Sequence, residues 1–314
     1  MKRAIKINGR LIPKGGKEFL RIEIGSHRRE GAIRLPVCVW RGEEDGPVLL
    51  ITAGLHGDEL NGVESLRRMI TDGSIVPDAG TVIALPIANV WGFLNSSRFL
   101  PDGKDLNRGF PGSRTGPLSQ KMALAIMQHL LPSADCGLDL HSGGVNENYP
   151  HIRCVTGAPG NMELALAFAP PFILDSPLME GTFRKAAWLS GKNVLVYEGG
   201  ESRSISEFAV TECINGILRI MEHLGMTGSG APERNETRIV EKSSFVRAER
   251  TGDYYPSVPC GAEVGKGDPL ARVYDTVSGE HSEITAQENA IALSVRHAQP
   301  VSTGNLLIHL GITV

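Results

Sequence analysis

The sequence lacks any arrangement of cysteines that would frame a disulfide-linked fold or a thiolate metal site. Its 314 residues include five cysteines with no C-x-x-C spacing, scattered as Cys38, Cys136, Cys154, Cys213 and Cys260. Paired or clustered cysteines are the usual sign of a disulfide scaffold or of structural zinc. We therefore expect reduced thiols that fill the core.

Long apolar runs are also missing. The opening MKRAIKINGR is basic but contains no apolar segment of the roughly 7–15 residues found in signal peptides. No later run approaches the roughly 20 apolar residues of a membrane span. We expect a soluble, cytoplasmic protein without a membrane partner.

Neither sign of charge is in large excess. The chain has 32 Lys and Arg against 35 Asp and Glu, and its pI is near 6.3. This balance gives no electrostatic reason to expect binding to nucleic acid or to an anionic membrane surface. The expected partners are small molecules, and the composition is compatible with a homo-oligomer.

What the sequence does contain is an alternation of short apolar runs and helical spacing. The runs with the length and flanking turns of buried strands are VLLITAG, TVIALPIA, DCGLDLHS and NVLVYEGG. Apolar residues at helical intervals occur in LNGVESLRRMI, LSQKMALAIMQHLL and EFAVTECINGILRIMEHLG. The alternation predicts an α/β fold with a mixed, largely parallel sheet flanked by helices.

A change in composition ends this pattern. From Gly225 to Arg238 the segment GMTGSGAPERNETR is rich in Gly, Ser, Pro and charged residues, as linkers are. Beyond it, short alternating runs are separated by Gly and Pro turns. We predict a main domain over residues 1–230 and a small C-terminal β domain over residues 231–314.

The stretch TAGLHGDELNG places polar side chains directly after a predicted strand. His56 and Glu59 follow the run VLLI, and His141 follows GLDL. Ligand sites in open α/β sheets gather outside the carboxyl ends of strands, and imidazole and carboxylate groups are ordinary zinc ligands. One histidine at a strand end is equally well explained by a structural hydrogen bond, but these three residues supply the ligands of an open hydrolytic site, and we predict one metal ion there. Other histidines stand in no such setting and are expected on the surface or on helices: His27, His129, His223 and His309.

A third predicted strand ends in LVYEGGE. Glu198 follows the run NVLVY as His141 follows GLDL, so three strands would deliver polar groups to one crevice. A carboxylate near an activated water can take its proton and pass it to a leaving amine. We predict this role for Glu198, with a turn or cap glutamate as the plainer interpretation and Glu201 as a nearby rival.

A polar segment, NSSRFLPDGKDLNRGFPGS, follows the second predicted strand. Its content of Gly and Pro predicts a loop, and loops at this edge of a sheet carry binding groups. Arg98 and Arg108 offer planar sets of donors suited to a carboxylate, and the amide of Asn107 can bind a neighbouring oxygen. A substrate carboxylate is the functional interpretation; a solvated loop whose arginines pair with Asp102 and Asp105 is the structural one.

Four motifs occur in an order and spacing that resemble the succinylglutamate desuccinylase and aspartoacylase family, a branch related to the zinc carboxypeptidases: GLHGDELNG, RFLPDGKDLNRGFPG, LDLHSGG and VLVYEGGE. The resemblance covers most of the chain. It implies a zinc-carboxypeptidase-like fold in which the C-terminal β domain covers the active-site mouth. It also implies that His56, Glu59 and His141 bind one zinc ion and that Glu198 is the general base.

The resemblance extends to the polar segment. It implies that Arg98 stabilises the oxyanion of the tetrahedral intermediate. Asn107 and Arg108 would bind the substrate carboxylate or polarise the carbonyl. Further candidates for substrate contact are left open: Arg184, Tyr254 and Tyr255.

Together these features predict a zinc-dependent amidohydrolase, a deacylase that cleaves the N-acyl amide bond of a small N-acyl amino acid or related compound bearing a carboxylate. One alternative is a zinc carboxypeptidase acting on peptides, which would need an open groove. The other is a non-catalytic metal-binding module, in which Glu198 beside an open zinc position would have no role.

Overall fold

The computed structural model describes residues 4–27 and 31–312. The α-helices in this part of the chain are Leu60–Asp72 (α1), Val90–Leu94 (α2), Leu118–His129 (α3), Asn161–Phe168 (α4), Phe183–Leu189 (α5) and Glu207–His223 (α6), and short 3₁₀ helices cover Leu106–Arg108 and Leu131–Ser133. The strands up to the last helix are Ile5–Ile7 (β1), Arg10–Ile12 (β2), Lys17–His27 (β3), Gly31–Arg41 (β4), Glu44–Ala53 (β5), Ala79–Leu85 (β6), Cys136–His141 (β7), Asn146–Cys154 (β8), Phe172–Asp175 (β9) and Asn193–Gly200 (β10). After α6 come Arg238–Val240 (β11), Ser243–Arg247 (β12), Gly252–Pro256 (β13), Glu263–Val264 (β14), Pro269–Tyr274 (β15), His281–Thr285 (β16), Ala290–Arg296 (β17), Gln299–Val301 (β18) and Leu306–Ile312 (β19).

The centre of the molecule is a mixed sheet of 13 strands whose middle strands run parallel. β6, β5, β7 and β10 lie side by side in that order, and each of these neighbours pairs in parallel. Beyond β6 the sheet continues antiparallel through β4 and β3, and beyond β10 it continues antiparallel through β8, β17, β19 and β12. The predicted mixed α/β fold is confirmed, with its parallel part in the four central strands.

Helices cover both faces of this sheet because successive residues of a strand point to opposite sides. In β5, Leu50 packs in the core on the side of α3 and α5, whereas Leu49 and Ile51 belong to the core formed with α1, α4 and α6. All three side chains are fully buried. A strand buried on both faces appears in sequence as a continuous apolar run, which explains why VLLI predicted it.

The segment after α6 contributes to two sheets. Residues 224–237 form no helix or strand, and β11 then begins at Arg238. β12, β14, β17 and β19 extend the large sheet, because β17 pairs with β8, whereas β13, β15, β16 and β18 form a separate sheet of four strands. The strand-rich composition expected of the tail is present, and a domain division at residue 230 stays a prediction.

The structure can be checked for the two features that the sequence lacks, a membrane-spanning segment and paired cysteines. Within residues 4–27 and 31–312, no helix is both long and apolar enough to cross a membrane. All five cysteines are free thiols, and four of them are buried. The expectation of reduced thiols in the core is met, with Cys260 less completely covered than the others.

Candidate active site

The parallel register of the central strands brings the motif residues together. Ala53, the last residue of β5, pairs with Leu140 of β7, so that His56 and Glu59 follow β5 beside the end of β7. His141 is the last residue of β7 and pairs directly with Glu198 of β10. Side chains that project from the carboxyl ends of adjacent parallel strands therefore meet at one edge of the sheet.

The glycines of TAGLHGDELNG are explained by the path of this loop. Gly54 has φ of +62°, a conformation that other residues rarely adopt. Gly57 packs so closely on the turn of α2 that an added Cβ would lie 2.0 Å from the carbonyl carbon of Gly92. Compact glycines thus let the chain turn sharply enough to place His56 and Glu59 on the same side as His141.

Three side chains form a compact, buried donor set. The Nδ1 atoms of His56 and His141 lie 3.3 Å apart, and Glu59 approaches them with Oε1 at 2.6 Å from His56 and Oε2 at 2.9 Å from His141. One donor atom from each residue falls within 4.8 Å of the others, and all three residues are buried. A tetrahedral zinc ion bound at about 2.0–2.1 Å to nitrogen sets its donors about 3.3 Å apart, which matches the separation of the two Nδ1 atoms, whereas both contacts of Glu59 are shorter.

Carboxylates hold the far nitrogens of both imidazoles. Nε2 of His56 lies 3.1 Å from Asp105, and Nε2 of His141 lies 2.8 Å from Asp139, which itself accepts a 2.6 Å hydrogen bond from Thr52. A carboxylate partner would keep the proton on Nε2 when a metal ion takes the Nδ1 lone pair, as in metal sites whose histidines are held by acids. This arrangement supports metal binding through both Nδ1 atoms.

The charges in this set are strongly coupled. Burial opposes ionisation of Glu59, but the adjacent imidazoles outweigh it and lower the pKa of Glu59. Burial likewise opposes the charged form of His141, but Asp139 and Glu59 outweigh it and raise the pKa of His141 well above its usual value. At His56, too, burial opposes the charged form, but Glu59 and Asp105 outweigh it and raise the pKa. The buried carboxylates therefore favour positive charge at this position, either as protons on the imidazoles or as a bound metal ion.

Glu198 lies in the cavity that contains the donor set, whereas Glu201 does not line it. Oε2 of Glu198 accepts a 2.9 Å hydrogen bond from the amide of Asn148. Glu201 instead forms a 2.7 Å ion pair with His297. The structure thus separates the two glutamates that the sequence left as rivals.

The polar segment that follows β6 contributes three residues to the same cavity. The guanidinium of Arg98 donates to Asp105 at 3.0 Å and to Glu59 at 3.3 Å, which places it beside the donor set. The side-chain oxygen of Asn107 accepts from the backbone N–H of Phe183, and its amide nitrogen lies 3.5 Å from Nε2 of His141. Arg108 is exposed and also lines the cavity.

The three candidates for further substrate contact lie in different parts of the structure. Arg184 on α5 lines the cavity, and one of its terminal nitrogens donates to the carbonyls of Ser176 and Pro177 at 3.1 and 2.6 Å. Tyr254 is fully buried in the core of the C-terminal strands, and Tyr255 lies against Tyr274 on another surface. Neither tyrosine lines the cavity.

Several cavity residues were not anticipated from sequence. The expectation for His309 was wrong, because it is buried on β19, stacked 4.4 Å from the ring of Phe245, and lines the cavity. His129 and His223 lie on helices as expected, and the side chain of His27 lies outside the described residues. The C-terminal residues that line the cavity are Phe245, Ser294, Arg296, Leu306 and His309.

The cavity has a volume of about 480 Å³ and is rich in positive charge. Two glutamates line it, one in the donor set and one at position 198. The arginines that line it are Arg98, Arg108, Arg153, Arg184 and Arg296.

Comparison with known proteins gives consistent matches. Residues 45–224 match the profile of the succinylglutamate desuccinylase/aspartoacylase catalytic domain. The chain is 31% identical over 310 residues to N-alpha-acetyl-L-2,4-diaminobutyric acid deacetylase of Halomonas elongata, covering 92% of this chain and 89% of that protein. The product-bound ectoine utilization protein EutE (DoeB) of Ruegeria pomeroyi superposes with a TM-score of 0.86 at 26% identity over 100% of both chains. A succinylglutamate desuccinylase/aspartoacylase of Rhodobacter sphaeroides gives a TM-score of 0.85 at 25% identity, with 96% of each chain covered.

Proposed function

The chain belongs to the succinylglutamate desuccinylase/aspartoacylase family of amide-hydrolysing deacylases, and on that premise we propose that it is a zinc-dependent amidohydrolase for small N-acyl amino acids or related compounds. The observation that carries the proposal is one cavity that contains the convergent donors of His56, Glu59 and His141 together with Glu198, the register partner of His141. This combination pairs an open metal site with a carboxylate able to move protons.

His56, Glu59 and His141 would hold the zinc ion through two Nδ1 atoms and a carboxylate. Bound there, zinc would supply a Lewis acid for the substrate carbonyl and lower the pKa of water to about 7. Asp105 and Asp139 would keep both rings oriented with Nδ1 toward the ion. Three protein ligands leave a position for water and substrate, as hydrolytic sites require.

Glu198 is proposed as the general base and then the general acid. Its carboxylate would accept a proton from the attacking water and deliver it to the nitrogen of the departing amine, so that the amide C–N bond breaks with a neutral leaving group. Its position on the strand beside that of His141 supports this role. Each carboxylate oxygen has two lone pairs, so the hydrogen bond that Oε2 accepts from Asn148 still leaves lone pairs for proton transfer.

Arg98 is proposed to stabilise the oxyanion that forms when the carbonyl is attacked. Asp105 holds its guanidinium within 3.3 Å of Glu59, beside the position at which the substrate carbonyl would meet the metal. Preorganised donors of this kind typically contribute about 2.7–4 kcal/mol to the transition state. Asn107 and Arg108 are proposed to bind substrate oxygens at the adjacent wall.

The charge of the cavity bears on the substrate. Among the described residues, Arg108, Arg184 and Arg296 have no carboxylate within ion-pair distance, and burial lowers the pKa of the last two. Unneutralised guanidiniums suit a substrate carboxylate. The Halomonas relative is named for a substrate whose side chain carries an amine. We propose that this cavity prefers an acidic or neutral amino acid portion to a cationic one.

The volume and walls of the cavity favour a small substrate over a peptide. About 480 Å³ lies within the range of roughly 300–1,000 Å³ typical of small-molecule sites. Phe245, Leu306 and His309 from the C-terminal strands form part of the wall, where a carboxypeptidase would need an open groove.

A paired measurement tests the proposal. Zinc content would be measured by elemental analysis, and amine release would be screened over N-acetyl and N-succinyl derivatives of acidic, neutral and cationic amino acids and over short peptides. We expect zinc and the fastest release from the acidic or neutral N-acyl amino acids. Preferred cleavage of peptides would establish the carboxypeptidase alternative, and zinc without any hydrolysis would establish the metal-binding module.

A further inference from the structure

The strand beside Glu198 carries a chain of polar contacts that the proposed mechanism does not use. β8 pairs antiparallel with β10, with Arg153 opposite Val196 and His151 opposite Glu198. Opposed residues in a sheet project from the same face, so Arg153, His151 and Glu198 share the face that lines the cavity. The register is irregular between Glu198 and Gly200, which pairs with Asn148.

That irregularity brings a second polar side chain to Glu198. From His151 to Asn148 the chain of β8 advances by three residues while β10 advances by two, so that Asn148 also reaches the cavity face. Its amide nitrogen donates to Oε2 of Glu198 at 2.9 Å. On the other side, Nε of Arg153 lies 3.6 Å from Oε1 of Glu198. Both carboxylate oxygens therefore have a partner on β8.

Arg153 is itself anchored by a buried histidine. Its Nε donates to Nε2 of His151 at 3.2 Å, and Nδ1 of His151 donates to the carbonyl of Tyr149 at 2.8 Å. A carbonyl can only accept and a guanidinium N–H can only donate, so the ring carries its proton on Nδ1 and is neutral. Burial, reinforced by the charge of Arg153, lowers the pKa of this fully buried histidine well below its usual value, which agrees with the neutral form.

We propose that Arg153, anchored on His151, is a positioning residue that works with Asn148 to fix the carboxylate of Glu198 at the angle needed for proton transfer. The inference rests on the proposed function, because it requires Glu198 to be the group that moves the proton. Arg153 is half-buried at 28% side-chain exposure and Glu198 is 14% exposed, so the ion pair is shielded from most of the solvent. A carboxylate held by a hydrogen bond at one oxygen and by an ion pair at the other adopts fewer unproductive orientations than a free one.

A positioning role and a substrate-binding role for Arg153 make different kinetic predictions. If Arg153 acts through Glu198, then R153M should lower kcat by about 10²-fold, the effect of roughly 1 Å of misplacement, with little change in KM. If Arg153 instead binds a substrate carboxylate, R153M should raise KM while kcat is retained. R153K keeps the charge but loses the Nε–H group that contacts both His151 and Glu198, so it should give an intermediate kcat.

A double-mutant cycle with E198Q is the decisive test. Since Arg153 has nothing to position once the carboxylate is replaced, R153M should reduce kcat in the wild type and leave kcat unchanged in the E198Q background. Additive losses, or a loss confined to KM, would overturn the positioning role. If E198Q by itself retains kcat, the assignment of Glu198 fails and the role of Arg153 fails with it.

Control variants and folding measurements distinguish a positioning role of Arg153 from a general loss of structure. Arg272 is an exposed arginine in an ion pair with Glu283, remote from the cavity, and R272M should leave kcat unchanged. Zinc content and melting temperature should be measured for every variant. If R153M does not fold, the same cycle with R153K decides the question, because its smaller loss of kcat should also vanish in the E198Q background.

Discussion

The two walls of the cavity differ in how the sequence specifies them. The metal wall consists of His141 at the end of β7, and of His56 and Glu59 in the segment that joins β5 to α1. The far wall consists of Arg153 on β8, Arg296 at the end of β17 and residues of β19, which meet through sheet pairing. Short motifs specify the metal wall, whereas the register of distant strands specifies the far wall. We expect the chemistry to depend on the first and, apart from the positioning role of Arg153, the choice of substrate to depend more on the second.

The largest effect should follow from breaking the metal wall. H141A removes one of the three proposed ligands, and the remaining pair cannot complete the coordination that structural and hydrolytic zinc sites show. We expect a folded protein with a small fraction of the wild-type zinc and turnover at background. H223A, at an exposed helix position, is the matched control and should keep its zinc. Full zinc occupancy in H141A would show that His141 is not a ligand.

The next largest effect should come from Glu198. E198Q keeps the size of the side chain and one hydrogen-bond acceptor but removes the proton acceptor, so kcat should fall by about 10²–10⁴-fold while zinc remains. E201Q should have little effect because Glu201 pairs with His297 outside the cavity. Comparable losses of kcat in both variants would point to a structural role for the region rather than to catalysis by Glu198.

A smaller effect is expected from substrate binding. R108M should raise KM by roughly 10- to 100-fold with kcat largely retained, because one charged contact to a substrate carboxylate contributes about 1.5–3 kcal/mol. Arg114 lies on the following loop, is exposed and does not line the cavity, which makes R114M the control. An unchanged KM in R108M for an acidic N-acyl amino acid would remove Arg108 from substrate binding.

The smallest effect concerns the far wall and pH. Burial lowers the pKa of His309 from 6.5 to about 3. As pH falls below 6.5, the unfolded chain binds a proton at this position and the folded chain does not, so stability falls toward pH 3 by up to about 1.4 kcal/mol per pH unit. H309F should flatten this part of the dependence. Denaturant midpoints from pH 7 to 4 for wild type, H309F and the exposed control H223Q would measure it, and parallel curves for wild type and H309F would contradict the assignment.

These differences also explain what could be predicted from sequence. His56, His141 and Glu198 each follow an apolar strand, and parallel strands end at one edge, so their convergence could be inferred from the pattern. The sequence did not reveal Asp139 as the partner of His141, because Asp139 stands between two leucines within the same apolar strand. Its charge is buried where a strand pattern would place a core residue.

The far wall could not be predicted for a physical reason. Ser294 meets Asn148 across the pairing of β17 with β8, a contact between residues far apart in the chain whose register is fixed by the whole sheet. The irregular step that turns Asn148 toward Glu198 leaves no signature in the sequence. The burial of His309 could not be predicted because it depends on the pairing of β19 with β12 and β17, which also brings the ring of Phe245 against it.

Zinc titration of the metal-stripped protein tests the central claim most directly. Chelated and dialysed protein would be titrated with zinc while release of amine from the best N-acyl amino acid of the screen is recorded at each addition. The account predicts no turnover without metal and a linear recovery that ends at one zinc per chain, with no recovery in H141A. Undiminished turnover after complete removal of metal, or equal recovery in H141A, would contradict it.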